Sequence, residues 1–377
     1  MSGRRILVMN ERDPRHPQAG GAEVHLREIF RRLVAGGDDV TLLACGFPGA
    51  APTETVDGMA VHRLGTRVTY YAHVAPTYRR LRRAAPFDVV VEDLNKLPFF
   101  SRFWVREPLV VLAHHLFGRS AFKQAALPVA AVVFGAEWLV PRLYRGVPLI
   151  AVSPSTRDEL VAGGLAPSDV HVIPNGLDHA LYRPGGPREG TPTVVTVGRI
   201  EPYKRTELLV DAVARLPGVR LVVAGAGAGL ARVRERVAAL GVEDRVALRG
   251  FVDEDEKVRL MQRAHVFAMA SEKEGWGLTV LEAAACGTPT VALNVPGIRD
   301  AVRDGETGIL VPTTDAASLA DAIGRVLGDA ALRERLAAAA VAWAARFTWD
   351  GVTAQVSAVL DAARGVRPAT LEAAAAR

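Results

Sequence analysis

The stretch Glu274-Gly275-Trp276-Gly277-Leu278-Thr279-Val280-Leu281-Glu282 sets two glutamates eight positions apart, with two glycines between them. The apolar run Ala264-His265-Val266-Phe267-Ala268-Met269-Ala270 ahead of it reads as a buried strand. Ala283-Ala284-Ala285-Cys286-Gly287-Thr288-Pro289 behind it reads as a short helix stopped by Gly and then Pro. Glu274 is therefore expected on a glycine loop at the carboxyl end of a strand, and Glu282 in the first turn of the next helix. Both would face the crevice where open α/β sheets bind ligands. Gly275 and Gly277 remove side chains, so backbone N–H groups can approach an anion at the helix N-terminus. The arrangement suits a phosphate flanked by hydroxyl-bearing groups, as in a nucleotide-sugar. A structural reading competes with it: Thr279-x-x-Glu282 is also a capping box, in which Glu282 would satisfy an N–H at the helix start.

The wider segment decides between them. From Ser271 to Pro312 the two glutamates, the glycines, the small-residue helix, Gly287-Thr288-Pro289 and Asp304-Gly305-x-x-Gly308 occur in order. This segment resembles the donor-binding signature of the retaining glycosyltransferases of family 4. The resemblance implies the GT-B fold, an α/β architecture of two Rossmann-like parallel-sheet domains facing a central cleft. It extends over nearly the whole chain and is most specific in the second half.

Length and composition agree with that expectation. A chain of 377 residues predicts about two domains, each long enough to bury a core. Cys45 and Cys286 are too few for a disulfide framework or a zinc site, which fits a reducing cytoplasm. Met1 to Asn10 contains a strand-length apolar run and no secretory h-region. The most apolar segment, Ala125 to Ala136, meets Glu137 and is too short for a membrane span. The net charge of +5 is uneven: residues 1–183 carry 22 Lys and Arg against 17 Asp and Glu, and the remainder 24 against 24. Between Asp57 and Asp88 lie six arginines (63, 67, 79, 80, 82 and 83) and no acid. The first half is thus the candidate for meeting an anionic surface or acceptor, the alternative being a solvated helix face.

Both halves alternate short apolar runs with amphipathic segments, which indicates βαβ units. Strands are expected near residues 4–9, 39–44, 88–91, 109–113, 149–152 and 170–173, with the clearest helices at 22–35 and 155–162. The second half predicts strands near 193–198, 219–224, 245–249, 264–269, 289–293 and 308–311. Arg183 to Gly190 reads as a linker, rich in Pro and Gly. The expected domains are 1–183, which would bind acceptor, and 184–349, which would bind donor. By the resemblance, a helix over 350–370 crosses back to the first, and Ala369 to Arg377 is expected to fray.

Several motifs lie where strands end. Gly198-Arg199-Ile200-Glu201-Pro202-Tyr203-Lys204 follows a strand; its two cations are either solvated or neutralise a pyrophosphate. The resemblance favours the second reading, because this Gly-Arg-x-x-x-x-Lys matches the family's diphosphate-binding segment. Gly20 and Gly21 open a helix after the first strand, and by resemblance they bring backbone N–H groups to the donor phosphate. Ala113-His114-His115 follows another strand, and the family places a histidine there near the donor sugar. The spacing from Pro108 favours His114, with His115 left open. Gly225 to Leu230 imitates a dinucleotide fingerprint, but position 230 is Leu and no acid ends the next strand, so a tight turn before a helix is the better reading. Asp253-Glu254-Asp255-Glu256 has a metal-like spacing, but it follows Val252 and starts a helix, where acids complement the macrodipole. Ser153-Pro154-Ser155 and Ile173 to Asp178 resemble the family's turns at the cleft.

The resemblance assigns roles. Glu282 would hold the nucleotide ribose and Glu274 the sugar hydroxyls, while Arg199 and Lys204 stabilise the departing diphosphate. Gly275, Trp276, Gly277, Leu278 and Val252 would complete the donor site, Trp276 standing where the family more often has Phe. The expected reaction is transfer of a hexose from a nucleoside diphosphate-sugar with retention of configuration. No carboxylate is clearly placed to act as nucleophile from the opposite sugar face, which favours front-face displacement. No metal and no cofactor beyond the donor are expected. The acceptor would be a glycan, a lipid-linked group or a small molecule, with no nucleic acid involved. The place of work would be the cytoplasm, with peripheral contact at an anionic inner leaflet. The alternatives are a GT-B nucleotide-sugar epimerase or hydrolase, a noncatalytic nucleotide-sugar-binding regulator and, more remotely, an NAD-dependent oxidoreductase.

Overall fold

The computed structural model describes residues 3–94, 97–116, 118, 122 and 127–365. The chain divides into two compact units. Apart from a short stretch at Phe122 that groups with the other, one runs to Gly176 and resumes at Trp349; the other spans Leu177–Thr348. The expected boundary after residue 183 therefore falls too late, since Leu177 to Arg183 group with the second unit.

In chain order the first unit contains β1 (Arg5–Met9), α1 (Gly21–Ala35), β2 (Asp39–Cys45), β3 (Thr53–Val56), β4 (Met59–Leu64), α2 (Tyr70–Ala84), β5 (Val89–Leu94), β6 (Leu109–Ala113), α3 (Leu127–Leu143), β7 (Leu149–Ala151), α4 (Pro154–Ala162) and β8 (Val170–Val172). Its strands form one sheet in the order β3-β4-β2-β1-β5-β6-β7-β8. All neighbours are parallel except β3 and β4. That hairpin was not expected from the apolar pattern. Its signal is Asp57-Gly58, both at positive φ (49° and 80°), the backbone of a tight two-residue turn. β5 also runs three residues past the expected Val91, because Glu92 and Asp93 are strand residues with buried side chains.

Strand alternation divides the core. Ile6 and Val8 of β1 pack with Leu26, Ile29 and Phe30 of α1, while Leu7 and Met9 pack with Tyr70, Val74 and Tyr78 of α2. The helix expected to cross back does so over its described part. It belongs to the first unit and places Trp349, Val352, Val356, Val359 and Leu360 in the α1 cluster. Arg32 reaches Asp350 at 2.7 Å and Arg4 reaches Asp361 at 3.0 Å. Residues 366–370, and the expected fraying of the tail, lie outside the described residues. Among the described residues no helix is long and apolar enough to cross a membrane.

The second unit contains β9 (Thr193–Val197), α5 (Thr206–Ala214), β10 (Arg220–Ala224), α6 (Leu230–Leu240), β11 (Val246–Gly250), α7 (Glu254–Arg263), β12 (Val266–Met269), α8 (Leu278–Ala285), β13 (Thr290–Leu293), α9 (Ile298–Ala301), β14 (Gly308–Val311), α10 (Ala316–Gly328) and α11 (Ala330–Ala344). The helix crossing back from its end is α12 (Trp349–Ala363). The sheet is wholly parallel, in the order β11-β10-β9-β12-β13-β14. Val266 and Ala268 of β12 face one cluster, Phe267 and Met269 the other. Asp253, Asp315 and Asp329 each accept a backbone N–H at a helix start, so the acid run at 253–256 is a helix cap.

Arg183 to Gly190, expected to link the domains, lies inside the second unit and is strapped to it by Arg188. The Arg188 guanidinium donates to Gln262 O at 3.2 Å, to Thr288 Oγ1 at 2.6 Å, and to the carbonyls of Ala264 and Gly287. These carbonyls end α7 and follow α8, where the helix has no partner of its own to offer. A lysine cannot reproduce that fork. Arg188→Lys should therefore lower the stability of the second unit by roughly 1.5–3 kcal/mol, the worth of hydrogen bonds to a charged group. Thermal melting in the presence and absence of nucleotide checks this. An unchanged melting temperature would mean that Arg188 is not what fixes the strap.

Candidate donor site and the histidine cluster

Counted within the second unit, the strand order is 3-2-1-4-5-6, so direction reverses between β9 and β12. At such a switch point the two loops leaving the carboxyl ends diverge and open a crevice. Here they are the loops that carry Arg199 and Lys204 after β9 and Glu274 after β12. The structure joins them: Lys204 Nζ lies 2.5 Å from Glu274 Oε1, and Glu272 N donates to Tyr203 O at 2.9 Å. Burial is the largest influence on Lys204 and would by itself lower its pKa. Glu274 and Tyr203 reverse this and hold the pKa above the usual lysine value, against nearby Arg199. Arg199 itself is exposed.

Glycines let the backbone close around this pair. A Cβ on Gly225 would meet Gly198 O at 1.8 Å, and one on Gly227 would meet Ile200 O at 2.5 Å. The glycine run after β10 is thus the turn before a helix that the sequence suggests, and it braces the Arg199 loop. Gly229 N donates to Ile200 O at 2.7 Å. On the other side Gly297, at φ 83°, approaches Glu274 O so closely that a Cβ would sit 2.1 Å from it.

α8 starts at Leu278 behind Gly277, which is left-handed (φ 77°), and no side chain caps it. The capping-box reading therefore fails, and Glu282 lies in the second helical turn, one turn later than expected. Its carboxylate is buried and meets Lys257 Nζ of α7 at 2.8 Å. Lys257 also pairs with Glu254 at 2.7 Å, and the Tyr182 hydroxyl donates to Glu254. Burial is the main influence on Glu282 and raises its pKa, with Lys257 opposing. Lys257, which burial alone would lower, is held above its usual value by Glu282 and Glu254. Tyr182 and Lys257 are partners that the sequence spacing did not reveal. Trp276 is buried, its ring centroid 5.2 Å from that of Phe347. Its indole N–H has no partner among the described residues. Gly275 and Gly277 flank it, Leu278 begins α8, and Val252 packs against the α8 cluster.

In the first unit, the carboxyl ends of β1, β5 and β6 collect a second polar group. His114, buried just past β6, lies 3.0 Å through Nε2 from Asp93 Oδ1. His25 of α1 meets it edge-on at 5.1 Å. Burial would lower the His114 pKa, but Asp93, helped by Glu23, raises it above the ordinary histidine value. His25 goes the other way, well below, through burial and then His114. Neither ring nitrogen of His25 has a partner among the described residues. His115, still open from the sequence, is more exposed than His114. Asp93, Glu23 and His25 were missed from the sequence. The available signal was Glu92-Asp93 directly after Val89-Val90-Val91, with alternate faces sending Glu92 to Ser101 and Tyr144, and Asp93 to His114.

Two expectations for this unit need correction. The Gly20 N–H is not available to a phosphate, because Glu23 Oε2 accepts it at 2.6 Å; at Gly21 an added Cβ would meet open space. The acid-free arginine stretch is also not acid-free in space. Arg63 pairs with Asp13 and Glu54, Arg67 with Glu11, and Arg82 with Glu107. That leaves Arg79, Arg80 and Arg83 exposed on α2, whose apolar residues Tyr70, Val74 and Tyr78 face inward. α2 therefore offers a basic face but no apolar one.

Comparison with known proteins identifies the family. Residues 181–343 match the family model described as glycosyl transferases group 1, and residues 19–181 the one described as glycosyltransferase family 4. A D-inositol 3-phosphate glycosyltransferase of Acidothermus cellulolyticus is 31% identical over 88% of this chain and 83% of its own length. Its namesake from Mycolicibacterium paratuberculosis is 36% identical over 90% and 81%. Among solved structures, sucrose-phosphate synthase of Thermosynechococcus elongatus superposes with TM-score 0.81 at 23% identity, covering 94% of this chain and 97% of its own. Anabaena Alr3699/HepE, solved in complex with UDP-glucose, gives 0.74 at 21%, covering 95% and 100%. The two units thus carry the GT-B fold, and the chain belongs to the group 1 glycosyltransferases of family 4.

Proposed function

We propose that this glycosyltransferase moves a hexose from a nucleoside diphosphate-sugar to a hydroxyl acceptor, with retention of configuration and without a metal ion. The observation that carries the reading is the Lys204–Glu274 pair at the switch point, beside the uncapped N-terminus of α8. Arg199, Lys204 and the helix N-terminus offer positive charge to a leaving diphosphate, where one such donor is typically worth about 2.7–4 kcal/mol. Glu274 then addresses sugar hydroxyls and Glu282 the ribose, with Lys257 and Tyr182 holding Glu282 in place. Front-face displacement is inferred because no carboxylate of the sequence is clearly placed to act as nucleophile from the opposite sugar face. The names of the relatives make a cyclitol phosphate the first acceptor to try, and UDP-, GDP- and ADP-sugars the donor panel. We also infer peripheral contact with anionic membranes, to which Arg79, Arg80 and Arg83 contribute charge.

Glu282→Ala should weaken binding of the free nucleoside diphosphate by at least about tenfold, since a charged hydrogen bond is worth roughly 1.5–3 kcal/mol. Glu274→Ala should leave that affinity intact and lower turnover. Calorimetric titration decides: a fall in melting temperature with unchanged affinity would confine Glu282 to its pair with Lys257.

Metal independence has its own test. Asp253 is engaged as a helix cap, accepting the Glu256 N–H at 2.8 Å. Transfer should survive excess EDTA. Complete loss restored by manganese would return Asp253 and Asp255 to the site.

The histidine pair makes a pH prediction. The folded-state pKa of His114 is raised, so the pair contributes stability that is fully present below the unfolded value, about 6.5, and is lost as pH rises through the folded value. The melting temperature of wild type minus that of Asp93→Asn should therefore be largest at acid pH and shrink above neutrality. A pH-independent difference would show that Asp93 does not set the charge on His114.

A further inference from the structure

α3 (Leu127–Leu143, LPVAAVVFGAEWLVPRL) is apolar on every side. A helix of that composition belongs in a core or a lipid phase, yet only half of it is covered. Ala130, Val133, Ala136, Glu137 and Val140 turn inward, the Glu137 carboxylate accepting the Gly118 N–H at 2.7 Å. The outer half leaves Leu127 73%, Val132 60% and Trp138 54% exposed, with Ala131 exposed between them. Isolated exposed apolar residues are ordinary; a face several turns long is a contact surface.

Charge identifies the occupant. The exposed side of α3 carries no acid. It ends in Arg142, whose guanidinium stacks 3.7 Å over the Trp138 ring, and exposed Arg145 follows. Exposed Arg102 donates to the carbonyl of Arg145 and extends the basic rim. A second copy docked through this face would bring basic rims together with no acid on the face to pair them. A bilayer with anionic headgroups satisfies both features: acyl chains take Leu127 and Val132, and the interface takes the indole and the guanidinium. We propose that the outer face of α3 is the surface by which this protein lies on anionic phospholipid membranes. The proposal rests on the membrane contact inferred above and assigns it to α3, with the α2 arginines adding charge alone.

Co-sedimentation of the full chain with phosphatidylglycerol and phosphatidylcholine vesicles, at low and high salt, tests this. Wild type should bind, and prefer phosphatidylglycerol. Val132→Ser/Trp138→Ser should lower the partition coefficient at least about tenfold, because two exposed side chains lose their apolar burial. Arg142→Glu should reduce the preference for the anionic lipid, with Arg145, Arg102 and the α2 arginines supplying what remains. Nucleotide-induced thermal shifts should be the same in all variants, which shows that they fold and that the donor site is untouched. Vesicle binding that survives in Val132→Ser/Trp138→Ser but is lost on replacing Arg79, Arg80 and Arg83 would overturn the assignment to α3 and leave membrane contact standing. Absence of wild-type binding, with nucleotide shifts retained, overturns both membrane statements but not the donor reading. A dimer that dissociates in Val132→Ser/Trp138→Ser without vesicle binding would identify a second copy as the occupant and overturn the proposal.

Discussion

Parallel strands send all their carboxyl ends to one edge of a sheet, and a crevice opens at that edge only where the connections part in opposite directions. In the second unit this happens once, between β9 and β12. Lys204 and Glu274 are seventy positions apart in sequence and become neighbours solely because their strands are adjacent across that reversal. Opposite charge then holds them together, each restraining a long side chain that would otherwise cost entropy to order. The site is in this sense prepared by topology before any side-chain chemistry is considered.

Backbone contact supplies the rigidity that topology alone does not. Gly225, Gly227 and Gly297 sit where any side chain would collide with a carbonyl of the loops that bear Arg199 or Glu274. These glycines have no chemical role of their own. They permit main-chain contact close enough that the loops cannot drift, with Gly229 N to Ile200 O at 2.7 Å as one tie.

The second unit was largely legible because its signals are local. Buried parallel strands are continuous apolar runs, and the glycines and acids that punctuate them lie next to the helices they start. Legibility failed where partners come from far along the chain or where a strand carries charge. Glu92 and Asp93 cut short the expected strand, although burial in a polar network suits both. The edge hairpin of β3 and β4 alternates polar and apolar residues too briefly to stand out, despite its Asp57-Gly58 turn. Lys257 and Tyr182 could not be assigned to Glu282 from spacing, and the acids that neutralise Arg63, Arg67 and Arg82 lie outside the stretch that looked uniformly basic. Sequence charge runs describe neighbours along the chain, and electrostatics acts between neighbours in space.

The return of α12 to the first unit has a consequence for biosynthesis. The cluster formed by Ile6, Val8, Leu26 and Phe30 is closed by Trp349, Val352 and Val356. Everything up to Gly176 leaves the ribosome well before those residues exist. At ordinary elongation rates of about 5–20 residues per second, the first unit waits on the order of 10–30 s with part of its apolar interior uncovered. Nearly all of the second unit, Leu177–Thr348, is made in one stretch, so its core can form during that interval. The unit made first is therefore the unit finished last, and the nascent chain carries that uncovered apolar surface through nearly half of its synthesis.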